Sequence, residues 1–175
     1  MKDLNNIVLI GMPGAGKSTV GVILAKTIGH DFLDTDIVMS RRYATNLQNL
    51  VDKIGYEEFI KAESHVITTL QCENTVIATG GSVVLNEESM KKLHEKGTII
   101  FLDVPFDEIQ RRLVDIKTRG IAFAPHQTLT DMYNARLPLY KKYADFTIEV
   151  KPNGNSTEDV IAQILEKLGI DSGIN

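Results

Sequence analysis

The chain has 175 residues, of which 43% are hydrophobic and 24% charged, and this is the composition of one globular domain able to close a core without disulfides or structural metal. Its formal charge of −4 at pH 7 excludes a general affinity for nucleic acid or for an anionic membrane, because either needs a basic surface. The single cysteine, Cys72, permits no internal disulfide and no cysteine metal cage; it is expected on a helix, in a protein of the reducing cytoplasm. No apolar run approaches the length of a bilayer span, and residues 1–6 carry no signal pattern.

Ile7-Val8-Leu9-Ile10 reads as a short buried strand. It leads into Gly11-Met12-Pro13-Gly14-Ala15-Gly16-Lys17-Ser18-Thr19, which matches the phosphate-loop pattern G-x-x-x-x-G-K-[ST]. Val20, Ile23, Leu24 and Ile28 then recur at helical spacing until Gly29. A strand, a glycine loop and a helix in this order aim backbone N–H groups and the positive end of a helix dipole at phosphate. Gly11, Gly14, Ala15, Gly16, Lys17, Ser18 and Thr19 are therefore the expected nucleotide-binding set, with Lys17 on the β/γ-phosphates and the Ser18 hydroxyl on Mg²⁺. The expected ligand is Mg²⁺-ATP. No Asn-Lys-x-Asp guanine-reading tetrapeptide occurs, which argues against a GTP switch.

A second strand at Phe32-Leu33 delivers Asp34-Thr35-Asp36 to the same sheet edge as the loop. One carboxylate there can hold Mg²⁺ through water and another can take a proton from an attacking hydroxyl; the structural alternative is that Asp36 caps the next helix. Helical spacing from 37 to 71, broken near Thr45 and Gly55, is too long for a simple crossover and predicts a small substrate-binding subdomain at about 34–63. A third strand at 75–78 precedes Thr79-Gly80-Gly81-Ser82, whose paired glycines let a ligand approach free N–H groups. Helices follow at 86–95, 106–114, 129–143 and 157–168, with strands at 98–104 and 146–150. This alternation predicts one α/β domain over 1–175 with a largely parallel sheet. Residues 115–128 lose periodicity around Gly120 and Pro125 and predict a mobile lid. Arg112, Arg119 and Arg136, in or beside that lid, suit phosphate recognition, whereas Arg111, Lys117, Lys141 and Lys142 read as solvated charge. His30, His65, His94 and His126 have no metal-ligand spacing.

In order and spacing these segments resemble the shikimate kinase family along nearly the whole chain. The likeness rests on residues 11–19, on Phe32-Leu33-Asp34-Thr35-Asp36, on Gly55-Tyr56-Glu57-Glu58-Phe59 with Glu63, and on Ala78-Thr79-Gly80-Gly81. It extends to Thr118-Arg119 and to Ala135-Arg136-Leu137-Pro138-Leu139-Tyr140. The resemblance implies a three-layer P-loop kinase fold with a five-stranded parallel sheet in the order 2-3-1-4-5, and transfer of the ATP γ-phosphoryl group to a ring hydroxyl of shikimate. It implies Lys17, Asp36 and Arg119 as catalytic residues and Ser18 and Asp34 at the metal. Arg112 is implied beside adenine, and Asp36, Ile60, Gly80, Gly81, Ser82 and Arg136 around the acceptor, with Arg136 on its carboxylate. A cytoplasmic monomer working on ATP and a small hydroxylated acceptor is the matching expectation.

The chain departs from the family pattern at three places. Ile60 stands where an arginine usually follows the helix phenylalanine, Ser82 stands for a third glycine, and Arg119-Gly120-Ile121 stands for arginine-proline-leucine. One charge-assisted hydrogen bond is worth about 1.5–3 kcal/mol, so the loss at Ile60 bears on acceptor binding. Two alternatives stand beside the shikimate reading: a kinase of this kind for another small hydroxy acid or polyol, and an ATP-binding regulatory module without transfer.

Overall fold

The computed structural model describes residues 6–114, 121–151 and 156–170. Strands β1 (Asn6–Ile10), β2 (Asp31–Asp34), β3 (Thr75–Ala78), β4 (Gly97–Asp103) and β5 (Phe146–Glu149) form one parallel sheet in the order β2-β3-β1-β4-β5. The three-layer P-loop kinase arrangement expected from the resemblance is the one observed. Chemistry explains why β1 is central: Ile7, Val8, Leu9 and Ile10 are fully buried, as a parallel strand covered on both faces requires. Registers pair Leu9 with Ala78 on one side and with Ile100 on the other, so β1 and β3 end together. That shared edge carries the phosphate loop and the Thr79–Ser82 turn side by side.

Helix α1 (Lys17–Ile28) follows β1, and α2 (Thr35–Arg42), α3 (Leu47–Ile54) and α4 (Tyr56–Thr69) lie between β2 and β3. After β3 come a 3₁₀ turn (Val83–Leu85) and α5 (Glu87–Lys96). α6 (Phe106–Val114) and α7 (Leu129–Tyr143) separate β4 from β5, and α8 (Thr157–Leu168) ends the domain. Capping fixes the helix starts: Asn46 and Asn86 accept from Asn49 and Ser89 N–H, and Thr128 and Ser156 form reciprocal capping boxes with Asp131 and Asp159. At the opposite sheet edge, the buried Asn6 amide donates to the carbonyls of Cys72 and Lys96 while its oxygen accepts from Thr75 N–H, tying three connections together.

Most of the core is one cluster around the sheet, from Ile7 and Leu24 through Phe101 and Tyr140 to Ile164. A second, smaller cluster of Met39, Leu50, Phe59, Ala62, Val66 and Ala122 holds α2, α3 and α4 against residue 122. One expectation is corrected. Cys72 lies in the connection after α4 and not on a helix, because the chain turns extended at Leu70 (φ −64°, ψ 132°) and there leaves the apolar spacing that suggested a longer helix. The 3₁₀ turn had no signal in the sequence: its three apolar residues are too few to show a period. Among the described residues no helix is long and apolar enough to cross a membrane.

Candidate active site

The phosphate loop is shaped by backbone that only glycine tolerates. Gly11 has φ 149°, and a Cβ there would stand 2.9 Å from the Leu102 carbonyl oxygen; Gly16, at φ 91°, immediately precedes α1. Lys17 is folded back and buried, with Nζ donating to the carbonyls of Gly11 (2.8 Å) and Met12 (2.9 Å). Burial pushes its ammonium down to about 8, against the pull of Asp36 and then Asp34, so it remains cationic at pH 7. Arg112 on α6 braces the loop by donating through Nη1 to the Gly14 carbonyl (3.1 Å). Its Nε donates to Glu108, which Arg111 also grips through Nε and Nη2, and the two arginines hold that carboxyl down at about 2. Arg111 remains largely solvated, as its sequence context suggested, while pairing with Glu108 at the rim of the cleft.

Asp34, the last residue of β2, is the N-cap of α2: Oδ1 accepts from Asp36 N–H (2.9 Å) and Oδ2 accepts from the Ser18 hydroxyl (2.5 Å). The cap is therefore Asp34 and not Asp36, whose side chain is left to face the cleft. Ser18 and Asp34 offer one hydroxyl and one carboxylate, and no cluster of three metal-ligating His, Cys, Asp or Glu exists among the described residues. An oxygen-only, sparsely liganded corner of this kind fits Mg²⁺, which keeps water and phosphate as most of its ligands.

Across the cleft, the turn after β3 is pinned from three sides. Thr79 Oγ1 donates to the Leu9 carbonyl (2.9 Å), Gly80 N–H donates to Thr35 Oγ1 (3.1 Å), and the Tyr140 hydroxyl donates to the Gly81 carbonyl (2.5 Å). A Cβ on Gly80 would collide with Glu63 Oε1 and stand 3.0 Å from Asp36 Oδ1, while one on Gly81 would stand 2.6 Å from Pro13 Cδ. The two glycines are thus the points where phosphate loop, carboxylates and turn meet. Glu63 on α4 is buried and accepts from the Ser82 hydroxyl at Oε2 (2.7 Å). Burial drives its carboxyl up to about 7; Ser82, Arg136 and Lys17 oppose the shift and Asp36 adds to it. Arg136 on α7 is 1% exposed, with Nη2 donating to the Ala122 carbonyl (3.0 Å). Among the described residues no carboxylate pairs with it, so its charge is available to an anionic group of a ligand.

These elements enclose one cleft of about 1140 Å³, whose walls include Gly14, Gly16, Lys17, Ser18, Thr19, Asp34, Asp36, Gly80, Gly81, Ser82, Arg112 and Arg136. Gly11 and Ala15 stand behind that wall, the first supplying a carbonyl to Lys17 and the second buried in the core. Ile60 is not part of the wall: it packs against the smaller cluster beside Phe59. Arg119 and residues 115–120 of the expected lid lie outside the described residues; Ile121 and Ala122 line the cleft.

Several wall residues escaped the sequence reading. Glu63 was quoted only as part of a helix, although a signal existed: Phe59, Ala62, Glu63, Val66 and Ile67 follow the i, i+3, i+4, i+7, i+8 spacing of a core-facing stripe, and a glutamate within such a stripe marks a buried acid. Arg41 lines the cleft one turn beyond Ile37 on α2 and has no side-chain partner among the described residues.

Comparison with known proteins gives a consistent result. The family model for shikimate kinase matches residues 13–169. Shikimate kinase of Haemophilus influenzae is 32% identical over 179 aligned positions, covering 100% of this chain and 98% of that protein. The Thermodesulfovibrio yellowstonii shikimate kinase is 35% identical, with 94% and 95% covered. Among solved structures, shikimate kinase from Acinetobacter baumannii in complex with shikimate superposes with a TM-score of 0.86 at 32% identity, over 94% of this chain and 93% of that one.

Proposed function

The chain belongs to the shikimate kinase family, and from that premise we propose that it transfers the γ-phosphoryl group of ATP to a ring hydroxyl of shikimate. The observation that carries the proposal is the convergence on one cleft of Lys17, Asp36 and the buried Arg136. ATP lies with its phosphates along Gly11–Thr19 and its base beside Arg112. Ser18 and Asp34 are the residues that would hold Mg²⁺, which when bound would supply charge neutralisation for phosphoryl transfer. The Lys17 ammonium leaves the Gly11 and Met12 carbonyls for the β/γ-phosphates, whose charge strengthens its hold on the proton.

On the acceptor side, Arg136 takes the carboxylate and Asp36 receives the proton of the attacking hydroxyl. Gly80, Gly81 and Ser82 floor the pocket, with α2, α3 and α4 as the acceptor-binding subdomain. Arg119, which lies outside the described residues, stabilises charge on the transferring phosphoryl. The fold leaves little covalent chemistry to the protein: its contribution is positioning and electrostatics. A cytoplasmic monomer is the matching reading, supported by the lone cysteine and by one cleft that holds both half-sites.

The test is ADP release from Mg²⁺-ATP with shikimate titrated against a blank without acceptor. Saturable, shikimate-dependent turnover with kcat/KM above about 10⁴ M⁻¹s⁻¹ is expected. Turnover at the blank level in protein that still binds ATP would reject shikimate as the acceptor.

A further inference from the structure

Glu63 poses a problem that the proposed reaction leaves open. It is a buried acid on the apolar face of α4, and the neighbours one turn away on that face, Phe59, Ile60, Val66 and Ile67, are all uncharged. No lysine or arginine among the described residues comes within ion-pair distance of it. Among the described residues its one hydrogen bond is from Ser82, at 2.7 Å, to Oε2. The other oxygen, Oε1, lies where a Gly80 Cβ would stand and is a close neighbour of Asp36 Oδ1. Two carboxylate oxygens from two different helices thus face the same small space in the cleft wall, a geometry suited to accepting from two adjacent hydroxyls of one ring.

We propose that Ser82 is a positioning residue for acceptor binding: its hydroxyl fixes Glu63 so that Oε1 stands beside Asp36 and accepts a second hydroxyl of the acceptor. This rests on the reading of the cleft as a shikimate kinase site and assigns it a determinant that this chain carries in its own Ser82 and Ile60. Position 60 on α4 carries no charge, and an uncharged hydroxyl from the turn after β3 holds Glu63 instead.

The consequence is visible in pH. The charged groups facing Glu63 are Asp36 from α2, Lys17 from α1 and Arg136 from α7, with Ser82 as the hydrogen-bond donor from the turn after β3. Burial outweighs them and leaves the carboxyl titrating near 7 in the unliganded protein. The ionised form is the better acceptor for a hydroxyl, so acceptor affinity rises as pH rises through that value. Removing the Ser82 hydroxyl takes away a bond that favours the ionised form, which moves the transition upward.

The experiment has two arms on the full-length enzyme. In the first, KM for shikimate is measured from pH 6 to 9 in wild type, Ser82→Ala and Glu63→Gln. The alanine variant is expected to raise KM about three- to tenfold at pH 7, the size of one net hydrogen bond, with the gap closing by pH 9 and kcat within about twofold. Glu63→Gln is expected to flatten the KM profile. Alanine and wild-type profiles that superimpose, or a rise in KM that is the same at every pH, would overturn the proposal. The second arm needs no acceptor: the Glu63 side-chain carboxyl is titrated by ¹³C NMR, identified by its loss in Glu63→Gln. A midpoint near 7 in wild type that moves upward in Ser82→Ala supports the pair, and identical midpoints refute it. An enzyme inert towards shikimate would sink the proposed function in the first arm while the second still decides on Ser82.

Discussion

Lys17 and Glu63 are buried ionisable side chains in opposite halves of one cleft, and burial moves them towards each other, the ammonium down to about 8 and the carboxyl up to about 7. What differs is the company each keeps. Lys17 has two backbone carbonyls as acceptors and two aspartates nearby, so it is charged at neutral pH before any nucleotide arrives. For Glu63 burial outweighs the Ser82 hydroxyl and the more distant Arg136 and Lys17, and Asp36 adds to the shift, so its charge is undecided in the same range. The nucleotide half is therefore built for a fixed, highly charged ligand from backbone that varies little with sequence. The acceptor half is built from side chains, and there a single replacement can retune affinity.

The largest expected effect lies in the nucleotide half. Lys17→Ala removes the one cation of the loop, and kcat is expected to fall by about a thousandfold or more, with ATP binding weakened and the fold retained by circular dichroism. Turnover within tenfold of wild type would remove Lys17 from the machinery and with it the contrast drawn above. Next in size is Gly80→Ala, where the added Cβ meets Glu63 Oε1 and crowds Asp36. Forced movement of two carboxylates in a packed wall is expected to cost about 1–3 kcal/mol of stability and to raise KM for the acceptor by about tenfold. A Gly80→Ala enzyme with wild-type KM would show that the acceptor does not use this wall.

A smaller effect separates the two buried groups thermodynamically. Glu63 holds its proton up to about 7 in the folded state but only to about its ordinary 4.5 when unfolded, so the folded state binds more protons between those values. The stabilisation is complete below about 4.5 and is lost as pH rises through about 7. Urea denaturation at several pH values is expected to show wild type losing on the order of 2–3 kcal/mol relative to Glu63→Gln across that window. Equal slopes for the two proteins would mean that Glu63 is ionised in the native state throughout and that the acceptor half is as preset as the nucleotide half.

The same division explains what was legible in the sequence. The alternation of strands and helices, the loop and the Asp34–Asp36 pair could be read because each rests on local rules, namely apolar period, glycine spacing and the carboxyl end of a parallel strand, whereas the strand order came only from the family resemblance. The structural alternative weighed for Asp36, that it caps α2, falls to Asp34 instead, since both have the right chemistry and Asp34 is the residue at the extended N-cap position. The Ser82–Glu63 bond joins residues 19 apart in sequence from two walls, and no local period reports it. Ile60 is the reverse case. The resemblance alone put it beside the acceptor, and the rotation of α4 packs it on the smaller cluster.

That rotation sets the smallest prediction and the sharpest test of the acceptor wall. Ile60→Arg places a guanidinium one turn before Glu63 on the same helix, at a half-buried position packed beside Phe59. Two effects oppose each other. Lost apolar packing is expected to cost about 1–2 kcal/mol, lowering Tm by roughly 2–8 °C. The arginine stem can still lie along the cluster while its head reaches outward, so the helix survives. Because position 60 does not line the cleft, KM for shikimate is expected to stay within about threefold of wild type, with the Tm loss as the main change. A tenfold fall in KM would instead mean that the new cation reaches Glu63 or the acceptor carboxylate, and that the serine hydroxyl in this chain is a weak substitute for a charge its helix lacks.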